Sequence, residues 1–381
     1  MLNDLRIIDL SNRISGSYAS KLLSSLGADV IKIEQPYVGD KSRKTGPFDF
    51  ENLYKDSSLL FKYLNAGKKS ITLDINKVDG RQLFKKILSI TDIVIDDFGS
   101  GFLKSIISDS NPSIILCSIT DFGTNGPYRN YTGNDLIVQG LSGLLQTMGL
   151  PDREPLKVGG NAGEYAIGIS AFSGILVSLY DRDSNQNGNY SVETSGLQTL
   201  AFTQIHNSIN SQFRGADNVR RNSSLLKADN GWVTVGLATG VRDDTWQKFC
   251  EILEMPNLAT DVRFFSMELR RKNESELNQI LEEWALSQKK EEIYHKLQNI
   301  STIAGYVAEP EDLLHSEQLL GRCFFNQDDG MSYPGMPFII DNCRPSLDKA
   351  PVLGGHNLNV FYELLGYATS DILILHQSGV L

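Results

Sequence analysis

LRIIDLSNRISGSYASKLLSSLGADVIKIE, residues 5–34, is the stretch whose reading decides the fold. Leu5 to Leu10 is a short apolar run of the kind that forms a buried strand. Ser11 to Gly16 is polar and turns at Gly16. From Tyr18 the apolar residues Ala19, Leu22, Leu23 and Leu26 recur at helical spacing and stop at Gly27. Ala28 to Glu34 is a second apolar run. A strand, a helix and a strand in this order make a parallel unit.

The pattern continues. Ser70–Ile75, Asp92–Ile95 and Ser113–Ile119 read as strands, and Gly80–Ile90 and Ser100–Ser108 as helices. Strands alternating with helices predict a parallel α/β sheet covered on both faces. Ligands of such sheets bind beyond the carboxyl ends of the strands. Those ends carry Ser11–Gly16, Glu34–Pro36, Asp96–Gly101 and Thr120–Gly126. No GxGxxG motif opens the first turn, which argues against dinucleotide binding. Pro36–Ser58 reads as a long surface loop. Asn134–Met148 reads as one helix, Tyr190–Thr194 as a strand, and Gly196–Phe213 as a long helix before a polar linker. The character then changes to an alternating strand at Trp232–Ala238 and a charged helical stretch at Ser266–Asn299. The reading is therefore a large α/β domain over residues 1–221, a small α+β domain over 222–325, and a tail, 326–381, whose apolar residues return to the large domain.

Within the large domain, GGNAGEYAIGISA (Gly159–Ala171) holds a single ionisable residue, Glu164. It stands where a glycine-rich loop enters an apolar helix. Backbone N–H groups at a helix start favour anions, and missing side chains leave room for a ligand. Two readings are open: an active-site carboxylate, or a first-turn glutamate that suits the helix dipole.

The 381 residues are 41% hydrophobic and 22% charged, enough for a sizeable core. The net charge of −10 gives no general attraction to nucleic acid or an anionic membrane. Cys117, Cys250, Cys323 and Cys343 are far apart, which excludes a disulfide framework or zinc motif and fits a cytoplasmic location. The five histidines are scattered and no metal is expected. No signal peptide and no apolar run of membrane length are read.

These pieces together resemble the class III CoA-transferases, a group that includes formyl-CoA transferase, carnitine CoA-transferase and α-methylacyl-CoA racemase. The likeness rests on residues 5–34, on NAGKKSITLDI (Asn65–Ile75), on DIVIDDFGSGFL, NPSIILCSITDFGTNGPY and DLIVQGLSGLL in family order, and on PVLGGHNLNVFYELLGY near the C-terminus. The resemblance implies a Rossmann-like large domain, a small domain and an interlocked homodimer. It implies coenzyme A thioesters and small carboxylic acids as substrates, with no metal, nucleic acid or membrane. It places Glu164 where the family has a catalytic aspartate, with Gln139 and Asp135 beside it. It assigns coenzyme A contacts to Asn12, Ile14, Ser15, Gly16, Leu73, Asp97, Phe98, Lys104 and Asn134. Lys41, Arg43 and Lys44 are further candidates for the nucleotide phosphates. Lys68 and Lys69 fit the family signature or are surface charges. The racemase branch has a histidine where this chain has Asn134, and asparagine shuttles no proton at neutral pH.

Three functional readings follow. The first is CoA transfer between carboxylic acids through covalent intermediates on Glu164. The second is another thioester reaction, such as hydrolysis, acyl transfer to an amine or hydroxyl, or isomerisation, with Glu164 as base, on free CoA or a carrier-protein thioester. The third is a binding subunit without catalysis. The first two fall if the Glu164 side chain is turned into the interior or tied up in a salt link, with no void beside it.

Overall fold

Six strands line up in parallel at the centre of the chain, in the order β3-β2-β1-β4-β5-β6. They are β1 (Arg6–Asp9), β2 (Asp29–Glu34), β3 (Lys69–Thr72), β4 (Ile93–Asp96), β5 (Ile115–Thr120) and β6 (Ser191–Ser195). This is the doubly wound order, whose crevice opens where the winding reverses, between β1 and β4. The structure is a computed structural model that describes all residues except 51–56, 100, 151, 186–189, 215–224, 236–240, 301, 329, 343 and 346–347.

The strands are short and apolar because both faces are covered. One face carries Ile8, Ile31, Ile71, Val94 and Leu116 under α3 (Val78–Leu88) and α4 (Gly101–Ser110). The tail closes that layer with Val360, Phe361, Ile372, Val380 and Leu381. The other face packs Ile7, Val30, Ile95, Ile115 and Cys117 against α1 (Ile14–Ser25) and α6 (Ala162–Asn185). The remaining elements of this unit are α2 (Leu59–Asn65), α5 (Asp135–Leu141), α7 (Gly196–Phe202), α8 (Ile205–Arg214), the β10–β11 hairpin (Phe325–Asp328, Met331–Pro334) and α15 (Thr369–Gln377).

The chain divides into two compact units, Met1–Arg220 with Cys323–Leu381, and Arg221–Arg322. The second unit has an antiparallel sheet of β7 (Leu225–Ala228), β8 (Gly231–Val235) and β9 (Ala304–Tyr306), with α9 (Asp243–Ile252), α10 (Met267–Lys272), α11 (Glu274–Ala285), α12 (Lys290–Gln298), α13 (Pro310–Leu314) and α14 (Glu317–Gly321). Trp246, Phe249, Phe264, Leu277, Leu281 and Trp284 fill its core. The charged stretch is not wholly solvated. Arg270 is buried beneath Trp246, and it donates to the carbonyls of Phe264 and Val241 and to Asp243.

Several expectations need correction. The helix read over Asn134–Met148 ends at Leu141, because Gly143 turns into the left-handed region (φ 83°), and a short 3-10 turn follows. Gly196–Phe213 is two helices, α7 and α8, broken at Thr203 and Gln204. One apolar run does reach membrane length. Ala162–Ser184 in α6 spans 23 residues with mean hydropathy 1.4. Its small residues, with Glu164 near one end and Asp181, Arg182 and Asp183 near the other, mask the run in sequence. Ile167, Ala171, Phe172, Ile175 and Leu179 bury one face against the sheet, while Ile169, Val177 and Tyr180 are exposed on the other.

Candidate active site

Glu164 sits in the first turn of α6. The loop before it bends through Gly160 and Asn161, both left-handed (φ 66° and 56°), and so delivers the helix start towards the β1–α1 turn. The Glu164 side chain is almost fully buried, and its carboxylate is not free. Arg13 donates from Nη2 to Glu164 Oε1 at 2.5 Å, and the backbone N–H of Ser15 donates to Oε2 at 3.2 Å. This corrects the expectation of a bare carboxylate facing a void. The physical reason is that a carboxylate this deeply buried needs a counter-charge, and Arg13 supplies it. Arg13 also forms an ion pair with Asp121, Nη1 to Oδ1 at 2.7 Å. Burial alone would lower the Arg13 pKa, but Glu164 and Asp121 together outweigh it and hold the guanidinium firmly protonated. Ser15 Oγ, beside this pair, is buried with no hydrogen-bond partner among the described residues.

Arg13 is therefore the door between Glu164 and a mainly polar cavity of about 280 Å³ that it lines with Asp97, Asp121, Arg129 and Tyr131. Sequence reasoning missed Arg13 although it singled out Asn12, Ile14, Ser15 and Gly16 around it. The available signal was a lone arginine in the first turn of a doubly wound sheet. Its partners, 108 and 151 residues away, are invisible to local pattern.

Asp97 receives the backbone N–H groups of Asn12 (2.6 Å) and Arg13 (2.7 Å), and so ties the β4 end to the β1 end. Burial pushes its carboxyl up to about 6, against those two hydrogen bonds. The folded chain thus holds this proton more readily than the unfolded chain does. Asp97 should add stability as pH falls from about 6 towards the unfolded value of about 4. Urea unfolding across that window should show the gain in the parent protein and a flatter profile in Asp97→Asn.

A larger cavity of about 450 Å³ opens at the switch point, beyond the carboxyl ends of β1 to β4. Asn12, Leu73 and Phe98 line it, with Gln35, Lys41 and Asn76. Phe98 lines both cavities. Gly16 is required where it is, since a Cβ there would collide with Ser11. Ile14 opens α1 and is half-buried.

Other expected site residues take other roles. Gln139 is fully buried and fully used: its amide donates to Asp135 (3.0 Å) and to the Val158 carbonyl (3.3 Å) and accepts from Val158 N–H (3.0 Å). It clamps the glycine loop to α5. Asp135 pairs with Lys157 at 2.6 Å and presses on the backbone of Gly163, where no side chain would fit. Asn134 caps α5 through Ile137 N–H (3.0 Å) and lines neither cavity. Lys104 is exposed on α4 and also lines neither. Arg43 is bound to both oxygens of Glu34, at 2.7 and 2.8 Å. Lys68 is no surface charge. It is buried and donates to Asp9 (2.9 Å), the Ser17 carbonyl (2.9 Å) and Asn65 (2.8 Å), with burial drawing its pKa down to about 8. Lys69 pairs with Asp29 at 2.7 Å. Among the described residues, no group of three or more His, Cys, Asp or Glu could hold a metal.

Known proteins share this fold over nearly the whole length of the chain. A succinyl-CoA–D-citramalate CoA-transferase of Chloroflexus aurantiacus is 27% identical over all of this chain and 98% of its own length. A succinate–glutarate CoA-transferase of Agrobacterium fabrum is 28% identical over 95% of each chain. The crystal structure of a CAIB/BAIF family protein from Brucella suis superposes with a TM-score of 0.87 at 27% identity, over 95% of this chain and 99% of that one. The family model described as CoA-transferase family III matches residues 2–357, from β1 into the tail that closes the core. With the fold and nearly the whole length matched, the chain belongs to CoA-transferase family III and is an enzyme of the CoA-transferase class.

Proposed function

We propose that this protein moves coenzyme A between two carboxylic acids through covalent intermediates on Glu164. One observation carries the reading: a single carboxylate at the head of α6 sits against a backbone N–H and one arginine, and that arginine lines a polar cavity beyond the strand ends. Its carboxylate attacks the acyl-CoA carbonyl. The C–S bond breaks, and a mixed anhydride and CoA thiolate form. The thiolate attacks the Glu164 carbonyl, releases the first acid as carboxylate and leaves a Glu164–CoA thioester. The second acid attacks that thioester, and the returning thiolate takes the new acyl group and frees Glu164. Each step exchanges one acyl bond for another, so no oxidant and no net proton is needed. The Ser15 N–H and the unpartnered Ser15 hydroxyl are the donors placed to meet charge developing on the oxygen.

The 450 Å³ cavity suits the nucleotide end of coenzyme A, with Asn12, Leu73 and Phe98 as walls and Lys41 as the cation there. Asp135 and Gln139 act as positioning residues, because they hold the loop that feeds α6. Relatives named for succinyl-CoA, citramalate, succinate and glutarate support small acids as partners. An interlocked homodimer fits the exposed apolar residues Ile169, Val177 and Tyr180 on α6 and Phe202, Ile205 and Phe213 on α7 and α8. Free Cys117, Cys250 and Cys323 suit a reducing cytoplasm. The test is incubation with succinyl-CoA and a panel of acids, with product thioesters read by mass spectrometry. Acid-dependent formation of new thioesters with ping-pong kinetics is expected. Thioester loss at the same rate with and without acids would favour hydrolysis instead.

A further inference from the structure

We propose that Arg13 is the receptor for the carboxylate of the free acid, occupied by Glu164 until Glu164 is acylated, and that Arg129 takes a second carboxylate across the same cavity, so that the preferred acids are short dicarboxylates. This rests on the reading of Glu164 as nucleophile. Arg13 is poised between two acids. Its Nη2 donates to Glu164, while its Nη1 forms an ion pair with Asp121 Oδ1 at 2.7 Å. Acylation abolishes the Glu164 charge. Arg13 then keeps one carboxylate neighbour, Asp121, and its Nη2 donors are released beside the mainly polar cavity of about 280 Å³ that it lines. Guanidinium groups suit carboxylates, since two parallel N–H donors match two oxygens.

Charge explains the timing. At rest the acids Glu164, Asp97 and Asp121 outnumber Arg13 and Arg129 by one, and a free acid is repelled. After acylation the counts are equal, and part of the Asp97 population is protonated near neutrality. Arg129 supplies the second recognition element. It lines the cavity, is exposed, and its side chain makes no ion pair or hydrogen bond with any described residue. Its turn is fixed by the Tyr128–Tyr131 stack, with ring centroids 4.9 Å apart and Phe122 edge-on to both. A monocarboxylate would leave Arg129 unused.

The neutral isostere Glu164→Gln imitates the acylated state without turnover. Calorimetric titration should show succinate binding to Glu164→Gln about tenfold or more tighter than to the parent protein. Adding Arg13→Met should erase the gain for succinate and butyrate alike, and adding Arg13→Lys should retain part of it, which separates a lost charge from a misfolded variant. Adding Arg129→Met should weaken succinate but leave butyrate unchanged. Equal succinate affinity in the parent and Glu164→Gln, or equal losses of succinate and butyrate in the Arg129 variant, would overturn the proposal. These readouts need no catalysis. If the binding pattern holds while the parent transfers CoA to no acid, the functional reading fails and only the carboxylate site at Arg13 and Arg129 stands; if transfer occurs without the pattern, this proposal fails alone.

Discussion

Glu164→Gln should abolish CoA transfer, lowering turnover by about four orders of magnitude or more while the fold persists. The amide keeps the size of the side chain and its one oxygen can still accept from Arg13 or from Ser15 N–H, but it cannot attack a thioester. Glu164→Asp is the informative companion. It keeps the nucleophile but withdraws it by about an ångström, away from Arg13 Nη2 and Ser15 N–H, and should cost about a hundredfold. Glu164 reaches both donors with its longer side chain, so aspartate should not be an improvement here. Steady-state rates with succinyl-CoA and an acceptor acid check both. A Glu164→Gln protein with more than about a tenth of the parent rate would remove this residue from the chemistry.

The second large effect is on stability. Lys32, in the middle of β2, is wholly buried. Its ammonium group meets Asp40 at 2.8 Å, the Ser11 carbonyl at 2.8 Å and Asp9 at 3.4 Å. Burial would lower its pKa, yet the charges of Asp40 and Asp9 hold it protonated. Asp9 in turn has Lys68, Ser20 and Ser11 around it. Burial would raise the Asp9 carboxyl, but Lys32 and Lys68 keep it well below the usual carboxylate range. Lys32→Met removes one cation and leaves Asp40 with only Ser42. Breaking a buried pair in this way should cost about 3–5 kcal/mol. Because β1, β2, α1 and α2 all meet at this cluster, the loss should also loosen the β1–α1 turn that carries Arg13. Urea unfolding of the variant measures it, and a loss below about 1 kcal/mol would show that the cluster does not hold the fold as described.

Much of the sheet is legible in the amino-acid sequence, for a physical reason. Strands buried on both faces must be short unbroken apolar runs, as in RIID, DVIKIE and IVID. Helix spacing between them is equally local. Helix ends are less legible, because a single left-handed residue such as Gly143 ends a pattern that periodicity would continue. At the site, the first-turn position of Glu164 can be read from its glycine-rich approach. What surrounds the carboxylate cannot. Arg13, Asp121 and Glu164 come from the ends of β1 and β5 and the start of α6, and only the winding of the sheet brings them together. The buried lysines are hidden for the same reason. Lys32 interrupts an apolar strand and Lys68 follows a glycine, and nothing local shows that Asp9 lies between them.

The central claim is that Glu164 becomes covalently acylated. The direct measurement is peptide mass spectrometry of the protein after brief incubation with succinyl-CoA, quenched with hydroxylamine or borohydride. Glu164 should be converted to its hydroxamate or alcohol, the mark should appear only with the thioester present, and it should be absent from Glu164→Gln. An unmodified Glu164 in a preparation that is transferring CoA at the time of quenching would contradict the claim.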